Sequence, residues 1–168
     1  EYLRAREDVG NRVGLWGISY GGYLANAVAV KTNVLDCSVN FAGIWDWREW
    51  IRDAQERHWF AGRRRFASRF GGPPDSDDSK VLEHYRVGSP CEYAADLDTP
   101  LFAFHGQADP NVPFSQLEAL VADLVAAGND FEAMFYPGED HFFRQPSTWR
   151  DVFRRVLPFF DEHLETDY

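Results

Sequence analysis

The sequence predicts an α/β protein, a mostly parallel sheet with flanking helices. Two observations carry that expectation. Short apolar runs of strand length recur at residues 13–16, 37–41, 100–104 and 131–136, with helical patterns between them. The first run passes through Gly17-Ile-Ser-Tyr-Gly21 straight into a helix-forming segment. Strands that alternate with helices form βα units, and a crossover helix returns the chain parallel to its starting strand.

The elements follow in order. A short first helix is expected at the N-terminus, where Glu1-Tyr-Leu-Arg4 reads as helical. The strand at 13–16 then leads through Gly17-x-Ser19-x-Gly21 into a helix at 20–30 rich in small apolar residues. A serine on so tight a strand-to-helix turn has strained backbone angles and crowded neighbours, which glycines two residues either side relieve. After the strand at 37–41, a long interruption at about 45–90 is expected as a helical insertion. It has helical stretches around 47–60 and 79–87 and a loop at Gly71-Gly-Pro-Pro-Asp-Ser-Asp-Asp78. The run Arg63-Arg-Arg65 reads as a solvated helix face.

The strand at 100–104 is closed by His105-Gly106, where the histidine is expected to shape the turn. A helix at 114–127 places Leu117, Leu120, Val121, Leu124 and Val125 at helical spacing. The strand at 131–136 ends at Pro137-Gly138. The last helix, 147–164, puts Trp149, Val152, Phe153, Val156 and Phe160 on one face, with a kink expected at Pro158.

Composition narrows the function classes. With 168 residues, 45% of them apolar, the chain can bury one real core. A formal charge of -10 would repel a phosphate backbone, so nucleic acid is not expected as a partner. Neither an 18-residue apolar run nor an apolar signal core is present, so no membrane partner and a cytoplasmic location are expected. Cys37 and Cys91 form no CxxC pair and read as bystander thiols. No HExxH, P-loop or GxGxxG pattern occurs, so no metal and no cofactor are expected. Lys31 and Lys80 are the only lysines among 17 basic residues, a balance that either a salt-adapted source or a GC-rich genome produces.

A serine hydroxyl needs a base to become a nucleophile, and the base needs an orienting acid. Of five histidines, His58, His84 and His163 fall in expected helices, whereas His141 lies on the loop after the last strand. In α/β proteins active sites form at that end of the sheet. Asp109 occupies the equivalent loop after the preceding strand. Asp140 competes with it, but a residue adjacent in sequence reaches its neighbour's Nδ1 badly. Ser19, Asp109 and His141 thus come in the order Ser, Asp, His, the chain order of α/β-hydrolases.

Gly17-Ile-Ser-Tyr-Gly-Gly-Tyr23, His105-Gly-Gln-Ala-Asp-Pro-Asn-Val112 and Gly138-Glu-Asp-His141 together resemble the three catalytic motifs of the prolyl oligopeptidase family of serine peptidases. The resemblance spans nearly the whole chain and implies the C-terminal half of an α/β-hydrolase catalytic domain. It implies Ser19 as nucleophile, His141 as base and then acid, Asp109 as orienting carboxylate, and the Tyr20 N–H as an oxyanion-hole donor. It further implies a substrate pocket with Ile44, Trp47 and Trp50 after the second strand and Asn111 and Val112 beside the acid. The expected substrate is a short peptide, with an apolar or prolyl side chain against the aromatic wall.

A complete sheet of this kind has eight strands, and four are legible here. The resemblance therefore implies two partners in the same polypeptide, an earlier part of the catalytic domain and a β-propeller. The earlier part would supply a second oxyanion donor, a tyrosine hydroxyl. Loss of one such donor costs about 100- to 1000-fold in rate, so the chain alone is expected to be a poor catalyst. An apolar edge left on the elbow strand makes an oligomer a further expectation. A carboxylesterase would use the same three residues, and a non-catalytic binding or assembly fragment would use none of them.

Overall fold

The computed structural model describes the backbone over residues 2–56 and 60–164 and side chains over 2–53 and 64–164. Four strands, β1 (Gly14–Ile18), β2 (Cys37–Phe41), β3 (Leu101–Gly106) and β4 (Glu132–Tyr136), form one sheet in the order β1-β2-β3-β4. Every neighbouring pair is parallel. The crossovers are α1 (Tyr20–Lys31), a helical insertion between β2 and β3, and α5 (Ser115–Ala127), and the described chain closes with α6 (Pro146–Leu164).

Alternation along the central strands sorts the core into two layers. Cys37, Val39 and Phe41 of β2 and Phe102 and Phe104 of β3 pack against Val152, Val156 and Phe159 of α6. Residues of the opposite parity, Leu101 and Ala103, pack with Ala29 and Val30 of α1 and Leu117, Leu120 and Leu124 of α5. That period of two lets one strand bury both its faces, as a central parallel strand must. β1 and β4 are edges, and the residues of β1 are only half-buried.

The insertion comprises α2 (Trp47–Glu56), α3 (Phe60–Arg69), α4 (Ser79–Gly88) and a 3₁₀ segment, Pro90–Asp96. Its start is pinned to α5, because the buried Gln116 Oε1 accepts the N–H groups of Trp45 at 2.8 Å and Asp46 at 2.9 Å. Asp46 then caps α2, accepting the Arg48 N–H at 2.8 Å. A third cluster, with Ile44, Trp47, Trp50, Ile51, Val81, Tyr85 and Val112, ties these helices to the loop after β3.

Some expectations need correction. No helix precedes β1 among the described residues; 2–5 form turns, and Arg6 pairs with Asp8 at 2.8 Å, an i,i+2 spacing that a helix would point apart. On α6, Phe159 joins the core while Phe153 is 44% exposed, and on α5 Val125 is 64% exposed. Val125 lies off the stripe that packs on the sheet, whereas Phe153 is edge-on to Trp16 of the edge strand β1 at 5.9 Å. Pro158 lies inside α6, the setting in which a proline kinks a helix. Cys91 sits in the 3₁₀ segment. His58 lies outside the described residues.

Candidate active site

Ser19 joins β1 to α1 with φ 59° and ψ -117°, a backbone shape that costs a non-glycine residue about 1–3 kcal/mol. Its neighbours hold it there: the Ser19 N–H donates to Phe41 O at 2.8 Å and its carbonyl accepts the Tyr23 N–H at 2.9 Å. Although Ser19 stands at the N-cap of α1, its hydroxyl makes no capping bond. It faces a cleft instead. Tyr20 follows as the first helical residue, so its N–H has no carbonyl one turn back within the helix.

The glycine requirement falls differently from the motif's symmetry. A Cβ on Gly17 would lie 1.9 Å from Gly21 O, so strand and helix backbones touch there. A Cβ on Gly21 would meet nothing within 4 Å. The second close approach is Gly22 against Gly43, where a Cβ on Gly43 would lie 2.3 Å from the Gly22 carbonyl carbon.

The loops after β3 and β4 leave adjacent strands at one level, since His105 pairs with Phe135 and Gly106 with Tyr136. They are stitched together by Gln107 N–H to Tyr136 O at 3.1 Å and Ala108 N–H to Glu139 O at 2.9 Å. Within this frame Asp109 Oδ2 lies 2.7 Å from His141 Nδ1, with both side chains buried. Asp109 Oδ1 accepts the N–H groups of Asn111 at 2.7 Å and Val112 at 2.9 Å. Burial pushes the Asp109 carboxyl up, but the donors His105, His141 and Val112 outweigh it and hold it at about 2. An ionised carboxylate only accepts, so His141 carries its proton on Nδ1 and keeps the Nε2 lone pair free. Asp140 turns away, pairing with Arg144 and accepting the Phe142 N–H at 3.2 Å.

Ser19, Tyr20, Ile44, Trp50, Phe66, Asn111, Val112 and His141 line one cleft of about 140 Å³. Of the expected pocket residues only Trp47 stands apart from that lining. Trp47 and Trp50 share a face of α2 at i,i+3, and Trp47 is the inner one, stacked on Phe66 at 5.3 Å and edge-on to Trp50 at 5.4 Å. Trp50 Nε1–H donates to Asn111 O at 2.9 Å, which couples the insertion to the Asp109 loop. A larger cavity of about 480 Å³ opens at the other end of the sheet, beside Leu101 and Glu132. It shares no residue with the cleft, and α/β sites form at the carboxyl ends of strands.

Sequence reasoning passed over Phe66 and Glu139. Phe66 follows the run Arg63-Arg-Arg65, whose charge masks an inward-facing position. The buried Glu139 accepts the Arg144 N–H at 2.6 Å, the Gln145 N–H at 3.2 Å and the Thr148 hydroxyl at 2.6 Å. It thereby clamps the His141 loop to the start of α6. Burial raises its pKa, and these three donors turn the net shift downward. The signal was the acceptor Glu139 placed shortly before a helix start with Thr148 in the first turn. The thiols are inert by contrast, with burial pushing Cys37 up to about 11 and Cys91 up to about 12.

The sequence profile of the prolyl oligopeptidase family matches residues 1–167. The chain belongs to that family. It is 34% identical over 134 residues to mouse prolyl endopeptidase FAP, covering 77% of this chain and 16% of that protein. It is 32% identical over 132 residues to pig dipeptidyl peptidase 4, covering 77% of the chain and 15% of that protein. The chain thus spans about a sixth of these relatives' length. Among solved structures, an acylaminoacyl peptidase bound to Z-Gly-Gly-Phe-chloromethyl ketone superposes with a TM-score of 0.78 at 22% identity, covering 99% of this chain and 26% of the other. At that identity the likeness concerns the fold, which is that of the α/β-hydrolase peptidases.

Proposed function

We propose that this chain carries the nucleophile, base and acid of a serine peptidase acting on short peptides. The observation that supports it best is the shared cleft, lined both by Ser19 on its strained turn and by the imidazole that Asp109 holds at 2.7 Å. Ser19 Oγ adds to the scissile carbonyl carbon as its proton passes to His141 Nε2, and the carbonyl oxygen becomes an oxyanion facing the Tyr20 N–H. The C–N bond then breaks, His141 returns the proton to the departing amine, and an ester on Ser19 remains. Water, deprotonated by the same imidazole, cleaves that ester and restores the hydroxyl. Ile44, Trp50, Phe66 and Val112 offer an apolar wall for one small or prolyl side chain.

The same reading includes a partner within the polypeptide. Among the described residues β1 bonds to β2 on one side only, and Leu24 of α1 and Phe153 of α6 are 44% exposed. We infer that further strands of the same catalytic domain pair with this edge. A polar edge would suit solvent; this one is Gly-Leu-Trp-Gly-Ile.

A fluorophosphonate probe tests the nucleophile: wild type is expected to label and Ser19→Ala to remain blank. Equal labelling of the two removes Ser19 from the role. Rates on peptidyl anilides and short acyl esters, measured with the upstream part of the domain joined, separate peptidase from esterase. Ester turnover with no amide turnover rejects the peptidase.

A further inference from the structure

The buried imidazole of His105 makes contacts that a turn-shaping residue does not need. It sits on β3, 1% exposed, with Nε2 2.9 Å from Val112 O and 3.5 Å from Asp109 Oδ2. A carbonyl oxygen cannot donate, so Nε2 carries the hydrogen. That one N–H bonds Val112 O and makes a longer contact to the carboxylate. Val112 closes the circuit, since its own N–H donates to Asp109 Oδ1 at 2.9 Å. Among the described contacts, Asp109 therefore has two backbone donors on Oδ1 and two imidazoles facing Oδ2.

We propose that His105 is a positioning residue for the Asp109–His141 pair: its shared Nε2–H fixes the carboxylate oxygen that orients the catalytic imidazole. This rests on the peptidase reading given above. The physical reason is the water-excluded setting. Without the second imidazole, Oδ2 loses one of the two imidazoles that face it in a buried setting, and the carboxylate is held less firmly against rotation about its backbone-bonded Oδ1. His105 resists that pivot because it is itself held in the sheet, in register with Phe135 and edge-on to Phe114 at 6.0 Å. Among the described residues, the charged groups on the two loops of the pair include Asp109 after β3 and Glu139, Asp140 and Arg144 around His141. Glu139 is engaged by α6, and Asp140 is paired with Arg144.

His105→Met and His105→Gln form the test, because the two side chains are alike in size and only glutamine keeps an N–H donor. With the fluorophosphonate probe on the full chain, His105→Met is expected to label Ser19 about 10- to 100-fold more slowly, the scale of a small misplacement of a catalytic group. The midpoint of its pH–rate profile should fall by about half a unit or more as His141 loses carboxylate support. His105→Gln should recover most of the rate and the wild-type midpoint. Imidazole NMR gives a readout independent of catalysis: the His141 Nδ1–H resonance should move upfield or broaden in His105→Met and persist in His105→Gln. If His105→Met folds with an unmoved midpoint and an unchanged His141 resonance, the proposal is overturned. Should the methionine variant not fold, the wild-type spectrum decides, and finding His105 as its Nδ1–H tautomer overturns the proposal. Wild type labelling no better than Ser19→Ala removes the peptidase reading, while the NMR comparison still judges His105.

Discussion

The two halves of the candidate site are held by different physics. On the β1–α1 side, Ser19 is placed by sterics: a strained φ, two close backbone approaches and a turn with no side-chain hydrogen bond to its serine. On the β3–β4 side, His141 is placed by hydrogen bonds: Asp109 bridges to it, backbone N–H groups and His105 hold Asp109, and Glu139 clamps the loop. A serine must present a small hydroxyl at one point, and excluded volume suffices. An imidazole must be fixed in position, rotation and tautomer, and only directional partners do that.

Substitutions that remove one kind of support should therefore fail in different ways. Asp109→Asn should cost the most, about 10⁴-fold in Ser19 labelling with the fold intact, because the amide stabilises the wrong His141 tautomer. Circular dichroism and labelling rate together check it, and a variant labelling within a few-fold of wild type would contradict hydrogen-bond control.

Gly17→Ala should instead destabilise the whole chain by more than about 3 kcal/mol, since its Cβ overlaps the Gly21 carbonyl and backbone cannot rotate away. Gly21→Ala, in open space, should leave the melting temperature and labelling nearly unchanged. Similar losses for the two alanine variants would show that the close contacts do not govern the turn.

Glu139→Gln sharpens the comparison on the other side. Its amide NH₂ must face either the Arg144 N–H or the Gln145 N–H, leaving a part-buried backbone donor unmatched at about 1–3 kcal/mol, read from denaturant midpoints.

Acid should act on the same half. The Asp109 and Glu139 carboxyls are held below their ordinary values in the folded chain. Their contribution is fully present above the unfolded carboxylate range of about pH 4 and is lost as pH falls through their folded values. The acid limb of melting temperature against pH should be shallower in Asp109→Asn than in wild type.

These differences explain what could be read from the chain. The elbow was legible because its determinants are neighbours: an apolar strand, Gly17, Ser19 and a helix of small residues lie within one short stretch. Asp109 and His141 were legible as loop positions after strands, 32 residues apart. Phe66 was not, because its inward direction depends on how α3 docks against Trp47 and Trp50. The N-terminal turns read as helix for the opposite reason, since local propensity was counted where no packing face supports it.

Local pattern by itself determined the α/β class, the strand and helix order and the three residues proposed to do the chemistry, because each rests on spacing within a single element or its following loop. Tertiary structure alone decided that the positions with no room for a Cβ at the elbow are Gly17, Gly22 and Gly43, while Gly21 has open space for one. It also decided that Trp50 lines the cleft with Trp47 behind it, that His105 faces the Asp109 carboxylate, and that Glu139 clamps the His141 loop to α6. Those outcomes depend on which surfaces meet across the sheet. Contact between distant segments is set by packing and by the need to satisfy every buried polar group, and neither is written in any one stretch of chain.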